Sequence, residues 1–174
     1  TEGTAPVRHA PLPGDRIRAA PDDRPLVVQL FGSEAPFLEK AVRVLVERGY
    51  QRFDLNMGCS VPKVGKSGSG SAMLRDIPNA LAVAGAMIAA AGPGNVGFKL
   101  RLGWQQGEEV YLDLARRLED LGAGWITLHP RYARQKFTGT ADWSHTARLK
   151  QALSIPVIAG GDLFTAGDAL RCLE

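Results

Sequence analysis

The chain has 174 residues, 45% of them hydrophobic and 22% charged, with a formal net charge of +3. That suits one domain with one sizeable core; no apolar run approaches the roughly 18–20 residues that cross a bilayer, and the charge leans only slightly towards an anionic partner. The two cysteines, Cys59 and Cys172, and the three histidines, His9, His129 and His145, stand far apart, which argues against a disulfide framework or a metal site, since each needs clustered ligands.

Residues 1–24 hold Pro, Gly, Arg and Asp without an apolar h-region. They read as an irregular segment rather than a signal peptide, and a cytoplasmic location is expected. From residue 25 onwards strand-like and helix-like segments alternate. Short apolar runs at Leu26–Phe31, Arg52–Asn56, Val96–Arg101, Trp125–His129 and Pro156–Ala159 fit strands buried on both faces. Helical spacing follows each one. Phe37, Leu38, Ala41, Val42, Leu45 and Val46 make a first apolar stripe, and Ala80–Ala91 is helical by propensity. Tyr111, Leu114, Ala115, Leu118 and Leu121 make another stripe, with Gly122 placed as its C-cap, and Thr146–Leu153 and Ala166–Leu173 supply two more helices. The expectation is five successive βα units.

Such alternation implies a parallel sheet with right-handed crossovers, as an open doubly wound sheet or as a (β/α)8 barrel. Two near-miss motifs favour the open sheet and fail on context. Gly68-Ser-Gly70-Ser-Ala-Met73 lacks the third glycine of a dinucleotide turn and begins well after its strand has ended. The stretch Ser60 to Ser67 resembles a P-loop, but Ser60 replaces the first glycine and Pro62 removes an amide from the loop. The barrel accounts for more, because functional residues in that fold gather at the carboxyl ends of the strands. Here those ends read Gln29 to Gly32, Asn56-Met-Gly-Cys59, Lys99-Leu-Arg101, His129-Pro-Arg131 and Gly160-Gly-Asp162. Five strands do not close an eight-stranded barrel, so the reading is an α/β partial (β/α)8 TIM barrel over residues 25–174.

From about Arg24 to Glu174 the sequence resembles the bacterial branch of the tRNA-dihydrouridine synthase family. The motifs are Phe53-Asp-Leu-Asn-Met-Gly-Cys59, Pro62-Lys-Val64, Gly68-Ser-Gly-Ser-Ala72, Phe98-Lys-Leu-Arg-Leu-Gly-Trp104, Ile126-Thr-Leu-His-Pro-Arg131, Phe137-Thr-Gly139, Ala141-Asp-Trp143 and Ile155-Pro-Val-Ile158. Ser60 departs from the proline that usually follows the cysteine, and Gly160 from a frequent asparagine. The resemblance implies an internal piece of the catalytic barrel, strands three to seven, inactive by itself. It also implies an FMN enzyme that uses NADPH to reduce uridines of tRNA to 5,6-dihydrouridine.

By this resemblance Cys59 is the acid that protonates uracil C5, a thiol being largely protonated near neutral pH. Asn56 holds the uracil edge; Gln29, Lys99 and His129 contact the flavin; Gly160, Gly161 and Asp162 belong to its phosphate cradle. Lys63, Lys66, Arg101, Arg131, Arg134 and Lys136 form a basic rim for RNA phosphates, with Arg101 and Arg131 assigned to substrate. Trp104, Phe137 and Trp143 divide between stacking and packing, at least two of them packing. Each residue also has a plainer reading: a small buried cysteine, turn or strand-end residues at Asn56 and Gln29, a solvated charge at Lys99, a structural histidine, and Asp162 as a helix cap. Two other functions stay open at this stage, a different FMN barrel of dihydroorotate dehydrogenase type and a non-catalytic RNA-binding piece.

Overall fold

A computed structural model describes residues 25–61 and 67–173. Strand β1 covers Val27–Leu30, helix α1 Ala35–Glu47, β2 Arg52–Asn56, a 3-10 helix Gly70–Arg75, and α2 Ile77–Ala91. Then come β3 Val96–Arg101, α3 Tyr111–Asp120, β4 Trp125–His129, α4 Ser144–Ala152, β5 Val157–Ala159 and α5 Ala166–Leu173. The expected units are all present. The Gly68 to Met73 near-miss runs into the 3-10 helix rather than opening an α-helix. Lys63, Lys66, most of the P-loop near-miss and the irregular segment 1–24 lie outside the described residues.

Local chemistry sets the helix ends. Pro36 and Pro78 occupy the first turns of α1 and α2, where a missing N–H costs nothing. The Asp76 carboxylate accepts from the Asn79 amide at 3.1 Å and caps α2. Gly122, one position past the α3 cap, has φ +102 and so ends that helix in a conformation glycine tolerates. Thr165 and Asp168 bond reciprocally at the start of α5, so the cap expected of Asp162 is made by another pair.

All five strands are parallel, in the order β1-β2-β3-β4-β5. Parallel neighbours joined in sequence order by right-handed crossovers place every helix on the same side of the sheet. A doubly wound sheet needs a reversal of strand order, which the described strands lack. Register then sorts the side chains. On the helix side, Leu30, Leu55, Phe98, Ile126 and Val157 lie in one row, with Leu100, Leu128 and Ala159 in the next. Phe53, Leu55, Phe98, Leu100, Ile126 and Leu128 are fully buried there, each worth about 1.5–3 kcal/mol of apolar burial.

The opposite face differs from the expectation of burial on both sides. It carries a row of Gln29, Asp54, Gly97 and Trp125, a row of Asn56, Lys99, Thr127 and Ile158, and the pair Arg101 and His129. Most of these side chains are polar, and Gln29 and Ile158 are exposed. In place of continuous apolar runs, polar residues alternate with apolar ones along the strands and line the inside of the curved sheet.

Candidate active site at the strand carboxyl ends

The turn that presents Cys59 is built by Asn56. Its Oδ1 accepts from the amides of both Gly58 and Cys59 at 3.0 Å, a side-chain-capped turn that bends the chain out of β2. Its Nδ2 donates to Gln29 Oε1 at 3.1 Å, and Gln29 Nε2 donates to Asp54 Oδ2 at 2.7 Å. Gln29, Asp54 and Asn56 therefore form one relay across β1 and β2. The Ser71 amide donates to the Cys59 carbonyl at 2.9 Å and ties the turn to the 3-10 helix. Cys59 itself is half-buried.

The positive charge of the site sits on β3 and β4. Burial holds Lys99 below the ordinary lysine value, helped by repulsion from Arg101, while Asp54 and Cys59 act in the opposite sense. No described residue hydrogen-bonds the Lys99 amine. Burial likewise raises the Asp54 carboxyl, against the pull of Gln29, Trp125 and Lys99. The Trp125 indole crosses Gly97 towards Asp54, whose Oδ1 is buried without a hydrogen-bond partner.

Arg101 and Arg131 do not form the open rim expected of them. They are 2% and 3% exposed. Arg101 donates from Nε to the Gly58 carbonyl at 2.8 Å and from Nη1 to the carbonyls of Tyr132 and Lys136 at 3.1 and 2.8 Å. Arg131 donates to the carbonyls of Thr138 and Gly139, to Asp162 Oδ2 at 2.7 Å and to His129 Nε2 at 3.1 Å. A buried guanidinium must satisfy its donors, and here each straps strand-end loops together. The exposed cations among the described residues at this end are Arg75, Arg134 and Lys136. Arg75 lies over Trp104, 5.0 Å from the ring centre. With Gln105, Glu108 and Arg134 they border an open cleft of about 520 Å³.

His129 is kept neutral. Burial, then the charges of Arg101, Lys99 and Arg131, lower its pKa from 6.5 to about 4, with Asp162 opposing. Arg131 and the Ala141 amide in turn hold Asp162 below the usual carboxylate range. The expected phosphate cradle is narrower than drawn from sequence. The Gly160 amide already donates to the Leu128 carbonyl at 2.9 Å, and the Asp162 carboxylate is bound to Arg131 and Ala141. The amides of Gly161 and Asp162, at φ +83 and +56, have no acceptor among the described residues. Of the three aromatics, Trp143 donates to the Gly161 carbonyl at 3.0 Å and Trp104 is half-buried under Arg75, while Phe137 is 75% exposed above Arg101 and beside His129.

Asp54 is the member of the relay that sequence reasoning missed. Its signal was available: a carboxylate between Phe53 and Leu55 in a strand needs a partner, and buried acids cluster at functional sites. Among the described residues no group of three or more His, Cys, Asp or Glu is placed to hold a metal, and no helix is long and apolar enough to cross a membrane.

Sequential parallel βα units with helices on one face and a polar site at the strand carboxyl ends define an α/β chain of partial (β/α)8 barrel type. The chain belongs to the dihydrouridine synthase (Dus) family, whose profile matches residues 4–174. Among its relatives, a probable tRNA-dihydrouridine synthase 1 from Synechocystis sp. is 43% identical over 154 residues, 88% of this chain and 43% of the relative. A probable tRNA-dihydrouridine synthase from Rhizobium leguminosarum bv. phaseoli is 39% identical over 91% of this chain and 50% of its own length. A tRNA-dihydrouridine synthase B from Xanthomonas campestris is 35% identical over 91% and 48%. The chain thus spans half or less of the length of these curated relatives. The solved structure of morphinone reductase in complex with tetrahydroNAD overlays 72% of this chain and 44% of its own at a TM-score of 0.41 and 16% identity, too loosely to bear on function.

Proposed function

We propose that this chain supplies the catalytic face of a cytoplasmic tRNA-dihydrouridine synthase, which reduces uridines of tRNA to 5,6-dihydrouridine with FMN and NADPH. The carrying observation is the Asn56 turn, which sets Cys59 at the end of β2 within electrostatic reach of Lys99 and Arg101. The donor set fits a flavin. Lys99 and the second N–H of Gln29 suit ring carbonyls, and the amides of Gly161 and Asp162, which meet no acceptor among the described residues, suit a phosphate oxygen.

FMN, which Gln29, Lys99, His129 and the amides of Gly161 and Asp162 would hold, would supply the hydride for C6 of the uracil after reduction by NADPH. Cys59 transfers its thiol proton to C5, and the thiolate left behind recovers a proton from solvent. Asn56 orients the thiol through the backbone it caps and offers its amide edge to the base. Arg101, bonded to the Gly58 carbonyl, keeps that turn in place. A target uridine in folded RNA must leave its stack to reach this face. The exposed Arg75, Arg134 and Lys136 are suited to the neighbouring phosphates. Five βα units present only part of such a site, and the isolated chain is proposed to be inactive.

In the full-length enzyme, Cys59→Ala is expected to retain FMN and to lose about 10²–10⁴-fold in dihydrouridine formation, the usual share of a general acid. Flavin absorbance and turnover on unmodified tRNA measure the two quantities. Retention of more than about half of the activity would remove Cys59 from the role. Wild-type protein that purifies and titrates without flavin would favour an RNA-binding role instead.

A further inference from the structure

We infer that Arg131 is a positioning residue that locks His129 as the neutral Nδ1–H tautomer, so that the ring offers one donor to an oxygen of the ligand held on the polar face.

A guanidinium has only donors. Its Nη1 lies 3.1 Å from His129 Nε2, so the hydrogen bond between them requires the lone pair on Nε2, and the ring proton of the neutral form must sit on Nδ1. Arg131 is not free to turn away. Nε donates to the Thr138 carbonyl at 3.2 Å, and Nη2 donates to the Gly139 carbonyl and to Asp162 Oδ2, both at 2.7 Å. Asp162 is in turn anchored by the Ala141 amide at 2.7 Å.

The Nε2 edge is also closed sterically. A Cβ added to Gly161 would stand 2.8 Å from His129 Cδ2 and 2.9 Å from Nε2, so the glycine backbone lies directly against that edge. Nδ1, by contrast, has no partner among the described residues, nor is it among the buried unpartnered atoms. The charged groups around the ring are Lys99 and Arg101 from β3, Arg131 from the β4 loop and Asp162 from the β5 loop, and the Phe137 ring stands 6.1 Å away. Protonating Nε2 would set an N–H against the Arg131 N–H and add a cation beside three others. That agrees with the fall of the His129 pKa to about 4. Free histidine prefers the Nε2–H form, so the arrangement inverts the intrinsic preference.

The tautomer stands on geometry alone; only the identity of the ligand rests on the flavin reading. The test uses full-length protein with ¹⁵N-labelled histidine, free of flavin, and long-range ¹H–¹⁵N spectra. His129→Asn identifies the His129 signals. Between pH 8 and 5.5, an unprotonated Nε2 and a protonated Nδ1 are expected. Arg131→Met is expected to pass to the Nε2–H form and to raise the titration midpoint, and to weaken FMN binding about tenfold, as loss of one well-placed hydrogen bond does. Should that variant not fold, Asp162→Ala, which unties one side of Arg131, is expected to give mixed tautomers. An Nε2–H or doubly protonated ring in the wild type at pH 7 overturns the inference, and so does a folded variant whose tautomer is unchanged. An intact Nδ1–H signal in a protein that takes up no FMN supports the lock and counts against the flavin reading alone.

Discussion

Single residues in this site are held by what surrounds them, and the same surroundings shift their pKa values. His129 has a pKa of about 4 in the folded chain against 6.5 ordinarily. Between those values the unfolded chain binds more protons, so the stability that neutral His129 contributes is complete above pH 6.5 and is lost as pH falls towards 4. Asp54, raised by burial, works in the opposite sense above the ordinary carboxylate value, and Asp162, lowered by Arg131, acts only below it. Comparing wild type with His129→Gln isolates the histidine. Urea unfolding across pH 4–6.5 is expected to show a shallower acid loss in the variant, and parallel curves would contradict the assignment.

At the scale of elements, small residues decide how closely strands and loops approach. Gly97 on β3 is covered by the Trp125 indole from β4, and a Cβ at that position would stand 2.0 Å from the ring's Cε2 and Nε1. Gly97→Ala is expected to cost about 1–3 kcal/mol, as overpacking of a filled interior does, read as a lower urea midpoint with the far-ultraviolet spectrum unchanged. An unshifted midpoint would mean that Trp125 moves aside freely. Beyond the strands, the loop after β3 folds back through a Gly103–Glu109 bridge, and its carbonyls accept from Ala133 and Arg134. The ladder so continues into the strand-end loops, and Arg101 and Arg131 complete it with side-chain donors. These two arginines are loop braces before anything else.

Over the whole molecule, charge is sorted by depth. Buried cations organise the polar face, while Arg75, Arg134 and Lys136 are the exposed ones at the same end among the described residues. If tRNA lies across that end, Arg75→Ala and Arg134→Ala in the full-length enzyme should each reduce the slope of log affinity against log salt by about one unit, with FMN content unchanged. Equal slopes in wild type and variants would place the RNA elsewhere. Sequence by itself determined the five βα units, the strand-end grouping of Gln29, Asn56, Cys59, Lys99 and His129, and the family, because period, turn residues and motif order are local properties of a chain. It did not distinguish Arg101 and Arg131 from Arg134, since an arginine at a strand end or in the loop after it reads alike whether its donors meet water or carbonyls. Nor did it reveal Asp54 as Gln29's partner, the commitment of the Gly160 amide to Leu128, or the proton on His129 Nδ1. Those depend on residues 25 to 32 positions apart in the chain that the parallel register and the curved sheet bring to within hydrogen-bond distance, and only the tertiary structure sets that register.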